Sequence, residues 1–160
     1  HALAPAWTGH AFDRPFVLDR DGLLEARFFP LPGPAPETSR ERISVAGRAR
    51  AGVRITDRRT GARLVWAPRI ARYDGAVLAE LRAADLRFVD GTCLREEEGH
   101  AIHPGVKGAR ELGHAPIDGS DGSLVWLAGM RGRSVYVHLA ASNPACEEGG
   151  KDWTRIHEAG

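Results

Sequence analysis

Three polar side chains of this sequence are of the types that bind metal ions in proteins. Asp90 ends the hydrophobic run 85–90, and His138 ends the run 134–138. His114 lies midway between them in the sequence. Carboxylate oxygens and imidazole nitrogens are common ligands of Zn, Fe and Mn. We therefore predict that these three residues form part of a metal site, and only part of it.

The predicted secondary structure places two of these residues at one edge of a sheet. Asp90 and His138 each end a strand-like run, and ligand sites of open α/β sheets lie outside the carboxyl ends of strands. Apolar alternation and turn signals indicate several more strands, including a β-hairpin around the turn 57–61. The predicted strands cover 16–18, 23–29, 53–56, 63–67, 85–90 and 134–138.

Helical spacing of apolar residues predicts three helices that alternate with or follow the later strands. Asp74 is expected to cap the first helix, and the others are expected near 120–130 and 151–159. Trp66 and Trp126 lie in apolar patterns and are expected in the core. This order of elements is typical of a layered α/β sheet with right-handed crossovers. The residues expected on buried helix faces are Val77, Leu78, Leu81, Leu124, Val125, Leu127 and Ala128.

Composition indicates an ordinary globular domain and excludes some classes of partner. The 160 residues are 42% hydrophobic and 27% charged, and the net charge of +1 gives no argument for nucleic acid or an anionic membrane surface. No apolar run approaches the roughly 18 residues of a membrane helix. Cys93 and Cys146 lack the spacing of a zinc knuckle, so we interpret them as free thiols of a cytoplasmic protein.

We expect residues 1–160 to form a single domain. Prolines and glycine interrupt the stretch 30–47, which is predicted to be a surface loop or a lid over a site. His100 and His103 have a spacing that can bind metal, but they lie in a Gly-rich stretch that we interpret as a solvated loop.

Several blocks of the sequence resemble a known protein family. The most specific are Asp90-Gly91-Thr92, Gly113-His114, and His138 followed by Ser142-Asn143-Pro144. In this order and spacing they resemble the C-terminal half of the pyrroloquinoline-quinone biosynthesis protein B family, which is part of the metallo-β-lactamase superfamily. The resemblance covers roughly residues 23–160, most of the chain.

The resemblance implies an α/β fold of the αββα sandwich type, of which this chain supplies roughly the C-terminal half. In such a sandwich the metal lies at one edge between two sheets. Asp90 and His138 match metal-ligand positions of the superfamily, and His114 matches a histidine that faces the same cleft as ligand or proton donor. Asn143 is a candidate substrate-binding residue, although Asn-Pro also commonly stops a strand.

The sequence departs from the family in two respects. Residues 140–144 read Ala-Ala-Ser-Asn-Pro where the family has Asn-Asn-Thr-Asn-Pro, so two amide side chains are lost. The family's N-terminal half, with the first Asp/His metal motif and a Cys-rich zinc segment, has no counterpart here. We therefore expect a fragment, the ordered part of a longer protein, or one half of a split protein whose partner carries the missing ligands.

Three functions remain open from the sequence. The resemblance implies an oxygenase or hydroxylase, with Fe(II) favoured and Zn or Mn as alternatives, that acts on an aromatic amino acid or peptide-derived small molecule in cofactor or natural-product biosynthesis. The main alternative is a hydrolase in which a metal-bound hydroxide attacks a phosphodiester or ester and His114 protonates the leaving group. The third is a non-catalytic module that needs a partner half.

Overall fold

The computed structural model of the protein describes residues 9–34, 50–98, 105, 107–140 and 142–158. Most of the predicted loop 30–47 lies outside the described residues, as do His100 and His103. The described helices include none that is long and apolar enough to cross a membrane.

One six-stranded sheet organises the chain, and its strands lie side by side in sequence order. The pairs β1–β2, β2–β3 and β3–β4 are antiparallel, whereas β4–β5 and β5–β6 are parallel. The carboxyl ends of β5 and β6 therefore meet at the same edge of the sheet. The strands are β1 (Phe16–Val17), β2 (Leu24–Pro30), β3 (Ala51–Asp57), β4 (Arg63–Ala67), β5 (Leu86–Asp90) and β6 (Arg133–Val137).

Helix α1 (Gly75–Arg82) crosses one face of the sheet between β4 and β5. Asp74 caps it as predicted, since its Oδ1 accepts a hydrogen bond of 3.0 Å from the amide of Val77. On the sheet side, Glu80 of α1 forms ion pairs with arginines of β2 and β3. The core between α1 and the sheet includes Val65, Ala67, Val77, Leu81 and Val89.

The opposite face of the sheet is apolar but partly exposed. Strand register places Val53, Trp66, Phe88 and Val135 in one row across four strands. Trp66 keeps 40% of its surface exposed, and its ring packs beside that of Phe88. The prediction that Trp66 lies in the core was therefore wrong. Its strand is apolar on both faces, and within the described chain only the face toward α1 is fully buried.

The chain between β5 and β6 contains two short helices, α2 (Ala109–Leu112) and α3 (Ser123–Leu127). Helix α2 was not predicted, because it is one turn long and ends at Gly113, whose φ of 95° only glycine adopts freely. Helix α3 is shorter than the predicted 120–130 helix.

The buried face of α3 also differs from the prediction. Leu127 is buried and Leu124 half-buried, but Val125 and Ala128 are exposed, because the helix begins only at Ser123 and too few turns remain for the expected face. After β6, a 3₁₀ turn (Pro144–Cys146) leads to helix α4 (Lys151–Glu158), close to the predicted range.

Candidate metal centre

Asp90 lies at the carboxyl end of β5 and is completely buried. Its Oδ2 accepts a hydrogen bond of 2.9 Å from the amide of Ile70, in the segment after β4. Its Oδ1 accepts bonds from the amide of Thr92 at 3.1 Å and from the Thr92 hydroxyl at 2.7 Å. Buried carboxylates are costly without such donors, so these contacts both stabilise the charge and fix the orientation of the side chain.

Gly91 lets the chain turn tightly after Asp90. A Cβ at this position would lie 2.9 Å from the Cβ of Tyr136 and 3.2 Å from the carbonyl oxygen of Val137. The Gly91 amide donates to that same carbonyl at 2.8 Å. The close approach of the two strand ends therefore depends on the missing side chain, and it brings Thr92 next to His138.

His114 reaches the same place from the loop that follows α2. Its Nδ1 lies 2.9 Å from Oδ2 and 3.1 Å from Oδ1 of Asp90, and only 5% of the residue is exposed. An ionised carboxylate can only accept, so with Asp90 ionised Nδ1 carries the hydrogen and donates a hydrogen bond to Asp90. Nε2 is then the ring atom of His114 that is free to exchange a proton, whereas a metal ion shared with Asp90 would take the place of the proton on Nδ1.

Two arginines hold the loop that carries His114. Arg50 donates to the carbonyl of Gly113 at 3.0 Å, and Arg69 donates to the carbonyl of Leu112 at 2.6 Å. Both carbonyls belong to the C-terminal end of α2, where cations are favourable. Burial and the neighbouring charge of Arg69 lower the pKa of Arg50 to about 10, while Asp90 acts in the opposite direction. Arg50 therefore remains charged at neutral pH.

His138 follows β6 directly and adopts a left-handed backbone conformation with φ of 60°. This region is uncommon for residues other than glycine and turns the side chain away from the direction the strand would give it. Its Nδ1 lies 2.8 Å from the Thr92 hydroxyl, and its ring stacks on that of His114 at a centroid distance of 5.3 Å. His138 is exposed, whereas Asp90 and His114 are buried.

Asp90, His114 and His138 together could hold a metal ion, and no other such group of three occurs among the described residues. One ligand atom from each lies within 4.8 Å of the others. Ligand bonds of about 2.0–2.2 Å place the ligand atoms of one ion up to about 4.4 Å apart, a separation comparable with that limit. One carboxylate and two imidazoles also match the donor types of known Zn and Fe(II) sites. The residues present fit a divalent metal.

Asn143 lies behind the turn that follows Asp90. Its Nδ2 donates to the carbonyls of Gly91 at 2.8 Å and Thr92 at 3.3 Å, and its Oδ1 accepts from the amide of Ala145 at 2.9 Å. Only 2% of the residue is exposed. The described contacts of Asn143 thus hold the Gly91–Thr92 turn in place, and its role toward a substrate stays a prediction.

Thr92 belongs to the Asp90-Gly91-Thr92 motif, but no role was predicted for it. In the structure its hydroxyl connects Asp90 to His138. The available signal was its position two residues after a buried carboxylate at a strand end. Arg50 and Arg69 were also missed, since the arginines of this sequence are scattered without a pattern.

Comparison with known proteins identifies relatives of this chain. The family model of the beta-lactamase superfamily domain matches residues 2–138. Coenzyme PQQ synthesis protein B of Azotobacter vinelandii is 36% identical over 155 residues, which are 92% of this chain and 51% of that protein. The protein of the same name from Ruegeria pomeroyi is 34% identical over 94% of this chain and 50% of its own length.

A solved structure shows the same fold. The Zn(2+)-bound PqqB of Methylobacterium extorquens superposes with a TM-score of 0.82 at 26% identity, covering 94% of this chain and 50% of that one. This chain spans about half the length of the relatives that it matches. Among the described residues, the six-stranded sheet has helices on one face and a partly exposed apolar row on the other, as expected for half of a two-sheet sandwich. The chain thus belongs to the beta-lactamase superfamily, has a metallo-β-lactamase-like fold and is a homologue of the coenzyme PQQ synthesis protein B group.

Proposed function

We propose that this chain contributes Asp90, His114 and His138 to the metal centre of an iron-dependent oxygenase or hydroxylase. Its substrate would be an aromatic amino acid or a peptide-derived small molecule in cofactor or natural-product biosynthesis. The observation that carries the proposal is the convergence of two imidazoles and one carboxylate at the ends of β5 and β6. The names of the relatives, which refer to coenzyme PQQ synthesis, support the biosynthetic context.

The donor set is one that Fe(II) sites use, and the family resemblance favours Fe(II) over Zn and Mn. Two histidines and one carboxylate, with further positions open, are typical of non-haem Fe(II) oxygenases. A metal in such a site supplies Lewis acidity and, as Fe(II), the capacity to activate O₂.

In this proposal, residues of the chain hold the metal-site side chains in position and move protons. Asp90 holds the Nδ1 proton of His114 and keeps its ring toward the cleft. In this arrangement Nε2 of His114 is placed to exchange a proton with the substrate. As a ligand, His114 would instead lose its Nδ1 proton and bind the metal beside Asp90 through Nδ1. Arg50 and Arg69 fix the backbone of the loop from which His114 projects. This helps to set the position of the His114 ring.

Hydrolysis is the second candidate function, and the zinc in the Methylobacterium extorquens relative favours it. In that case the metal would activate water for attack on a phosphodiester or ester, and His114 would protonate the leaving group. The same three residues serve both candidates, so the metal and the co-substrate distinguish them.

The test uses the full-length protein that the gene encodes. Metal-free protein is loaded separately with Fe(II), Zn and Mn and assayed for O₂ consumption with a tyrosine-containing peptide, and for release of nitrophenol from a bis-nitrophenyl phosphodiester. O₂ uptake that accompanies substrate turnover, and that occurs with Fe(II) but not with Zn or Mn, supports the oxygenase. Phosphodiester turnover with Zn or Mn and no O₂ uptake supports the hydrolase and contradicts the primary proposal.

The chain is further proposed to work with a second half-domain. If His114 is a proton donor, Asp90 and His138 remain as ligands, whereas catalytic metal sites typically use three protein ligands. Sites of the superfamily draw ligands from both halves of the sandwich, so a partner segment would complete this one. If residues 1–160 alone neither bind metal with high affinity nor turn over substrate, while the longer protein does both, the need for a second half is supported. If both behave alike, it is contradicted.

A further inference from the structure

The hydroxyl of Thr92 lies between two groups of the candidate metal centre. Its Oγ1 is 2.7 Å from Oδ1 of Asp90 and 2.8 Å from Nδ1 of His138. Both distances are those of strong hydrogen bonds, and a hydroxyl offers one hydrogen and two lone pairs. Hydrogen-bond complementarity therefore assigns the protons in this chain of contacts when Asp90 is ionised.

Only one arrangement satisfies both contacts with an ionised Asp90. A carboxylate accepts and cannot donate, so the Thr92 hydrogen points to Asp90. Oγ1 then accepts from His138, which requires the proton of that imidazole on Nδ1. The opposite arrangement, with Thr92 donating to His138, would place two oxygens 2.7 Å apart without a hydrogen between them. The lone pair of His138 is left on Nε2.

His114 follows the same rule through a direct contact, since its Nδ1 donates to Asp90. One carboxylate thus sets the tautomer of both stacked imidazoles, directly for His114 and through a hydroxyl for His138. The hydrogen bond at one ring nitrogen decides which nitrogen is free for a metal.

Thr92 itself is rigidly held. Its amide donates to Asp90 at 3.1 Å, and its carbonyl accepts from Asn143 at 3.3 Å and from the amide of Ala140 at 3.2 Å. His138 is exposed and has the left-handed backbone, so burial does not hold its ring. The hydrogen-bond partner that the structure describes for the His138 ring is the fixed hydroxyl of Thr92.

We propose that Thr92 is a positioning residue that fixes the proton of His138 on Nδ1 and presents Nε2 to the metal. The proposal rests on the proposed metal function for the role of Nε2, but the proton position can be tested without metal. Partners that orient metal-binding histidines typically change metal affinity about 10–100-fold when they are removed.

The experiment compares Thr92→Val, which keeps the shape but removes the hydroxyl, with Thr92→Ser, which keeps the hydroxyl. Long-range ¹H–¹⁵N spectra of the metal-free full-length protein report the tautomer of each imidazole. Competition with a chelator measures Zn affinity. We expect His138 of the wild type to carry its proton on Nδ1, and Thr92→Val to give a mixture of tautomers with about 10–100-fold weaker Zn binding. Thr92→Ser should stay within about threefold of wild type, and His114 should keep its tautomer in both variants as an internal control.

Three results would overturn the proposal. They are a wild-type His138 with its proton on Nε2, a Thr92→Val protein with unchanged tautomer and affinity, and a Thr92→Ser protein as weak as Thr92→Val. The first needs no variant, so it decides the matter even if a substitution impairs folding. If the proposed metal function itself is wrong, the full-length wild type and His138→Ala will bind Zn equally weakly, whichever nitrogen of His138 carries the proton. This result is therefore distinguishable from failure of the Thr92 proposal.

Discussion

Nδ1 of His114 lies 2.9 Å from Oδ2 of Asp90, although the two residues are 24 positions apart in the chain. The contact ties a loop between two short helices to the end of a buried strand. It also means that the carboxylate has several partners at once, since Ile70 and Thr92 donate to it as well. Any change at Asp90 should therefore affect both metal binding and the local fold.

Replacing Asp90 with Asn should reduce bound metal per chain at least about tenfold, because the amide is neutral and one of its two positions donates instead of accepting. It should also lower stability, since a buried donor left unpaired costs about 1–3 kcal/mol. Metal analysis and chemical denaturation of the same preparation measure the two effects. Unchanged metal occupancy would remove Asp90 from the set of ligands. Asp90→Ala should lower metal content similarly and destabilise more, as it removes both acceptors.

His138→Ala should separate metal binding from folding more cleanly. The residue is exposed, and its described polar contact is with Thr92, so we expect at least about tenfold less bound metal with little change in the denaturation midpoint. The matched control is His10→Ala, which removes another exposed histidine, stacked on Phe16. The control should keep its metal. Equal metal content in the two variants would contradict a ligand role for His138.

His114→Ala distinguishes a proton donor from a ligand. If His114 moves protons, the variant should keep its metal and lose about 10²–10⁴-fold in turnover, the usual range for general acid–base catalysis. If it binds the metal, metal content and turnover should fall together. Metal content and product formation are measured on one preparation of the full-length protein. Normal values for both would show that His114 is only a loop residue.

The ends of β5 and β6 were predictable from the sequence because apolar alternation stops at Asp90 and His138, and the structure places both at one edge of the sheet. Periodicity gave no information on the contact of His114 with Asp90, because that contact depends on the path of an irregular loop. The family resemblance supplied the expectation that His114 faces the same cleft.

Other features could not be predicted for physical reasons. Trp66 belongs to a strand that is apolar on both faces, and alternation alone does not show which face the same chain covers. The left-handed backbone of His138 and the one-turn helix α2 follow from tertiary contacts rather than from local preference. Thr92 has an ordinary turn sequence, and the role proposed for it follows only from two distances.

Asn143→Ala should act mainly on the fold. The side chain donates to the carbonyls of Gly91 and Thr92 and is almost fully buried, so its loss should cost about 1–3 kcal/mol of unfolding free energy and loosen the turn that carries Thr92. Urea denaturation measures the loss, and the Michaelis constant of the full-length enzyme tests the predicted contact with substrate. A large rise in that constant without destabilisation would support the substrate-binding role instead.

The open face of the sheet leads to the last prediction, which concerns residues 1–160 expressed alone. The row formed by Val53, Trp66, Phe88 and Val135 exposes apolar surface of the kind that usually lies in an interface. We expect this protein to self-associate in sedimentation experiments. Trp66→Lys should weaken that association at least about tenfold, since aromatic anchors of an interface typically contribute more than 1 kcal/mol.

The control for this experiment is Val125→Lys. Val125 is 54% exposed, compared with 40% for Trp66, but it lies on α3, whose buried residue Leu127 packs into the core on the other face of the sheet. It should leave association unchanged. Association that weakens equally in both variants would indicate a general effect of added charge. A monomeric and fully active protein of residues 1–160 would show that the face needs no cover, and that the three residues at the ends of β5 and β6 work without a second half.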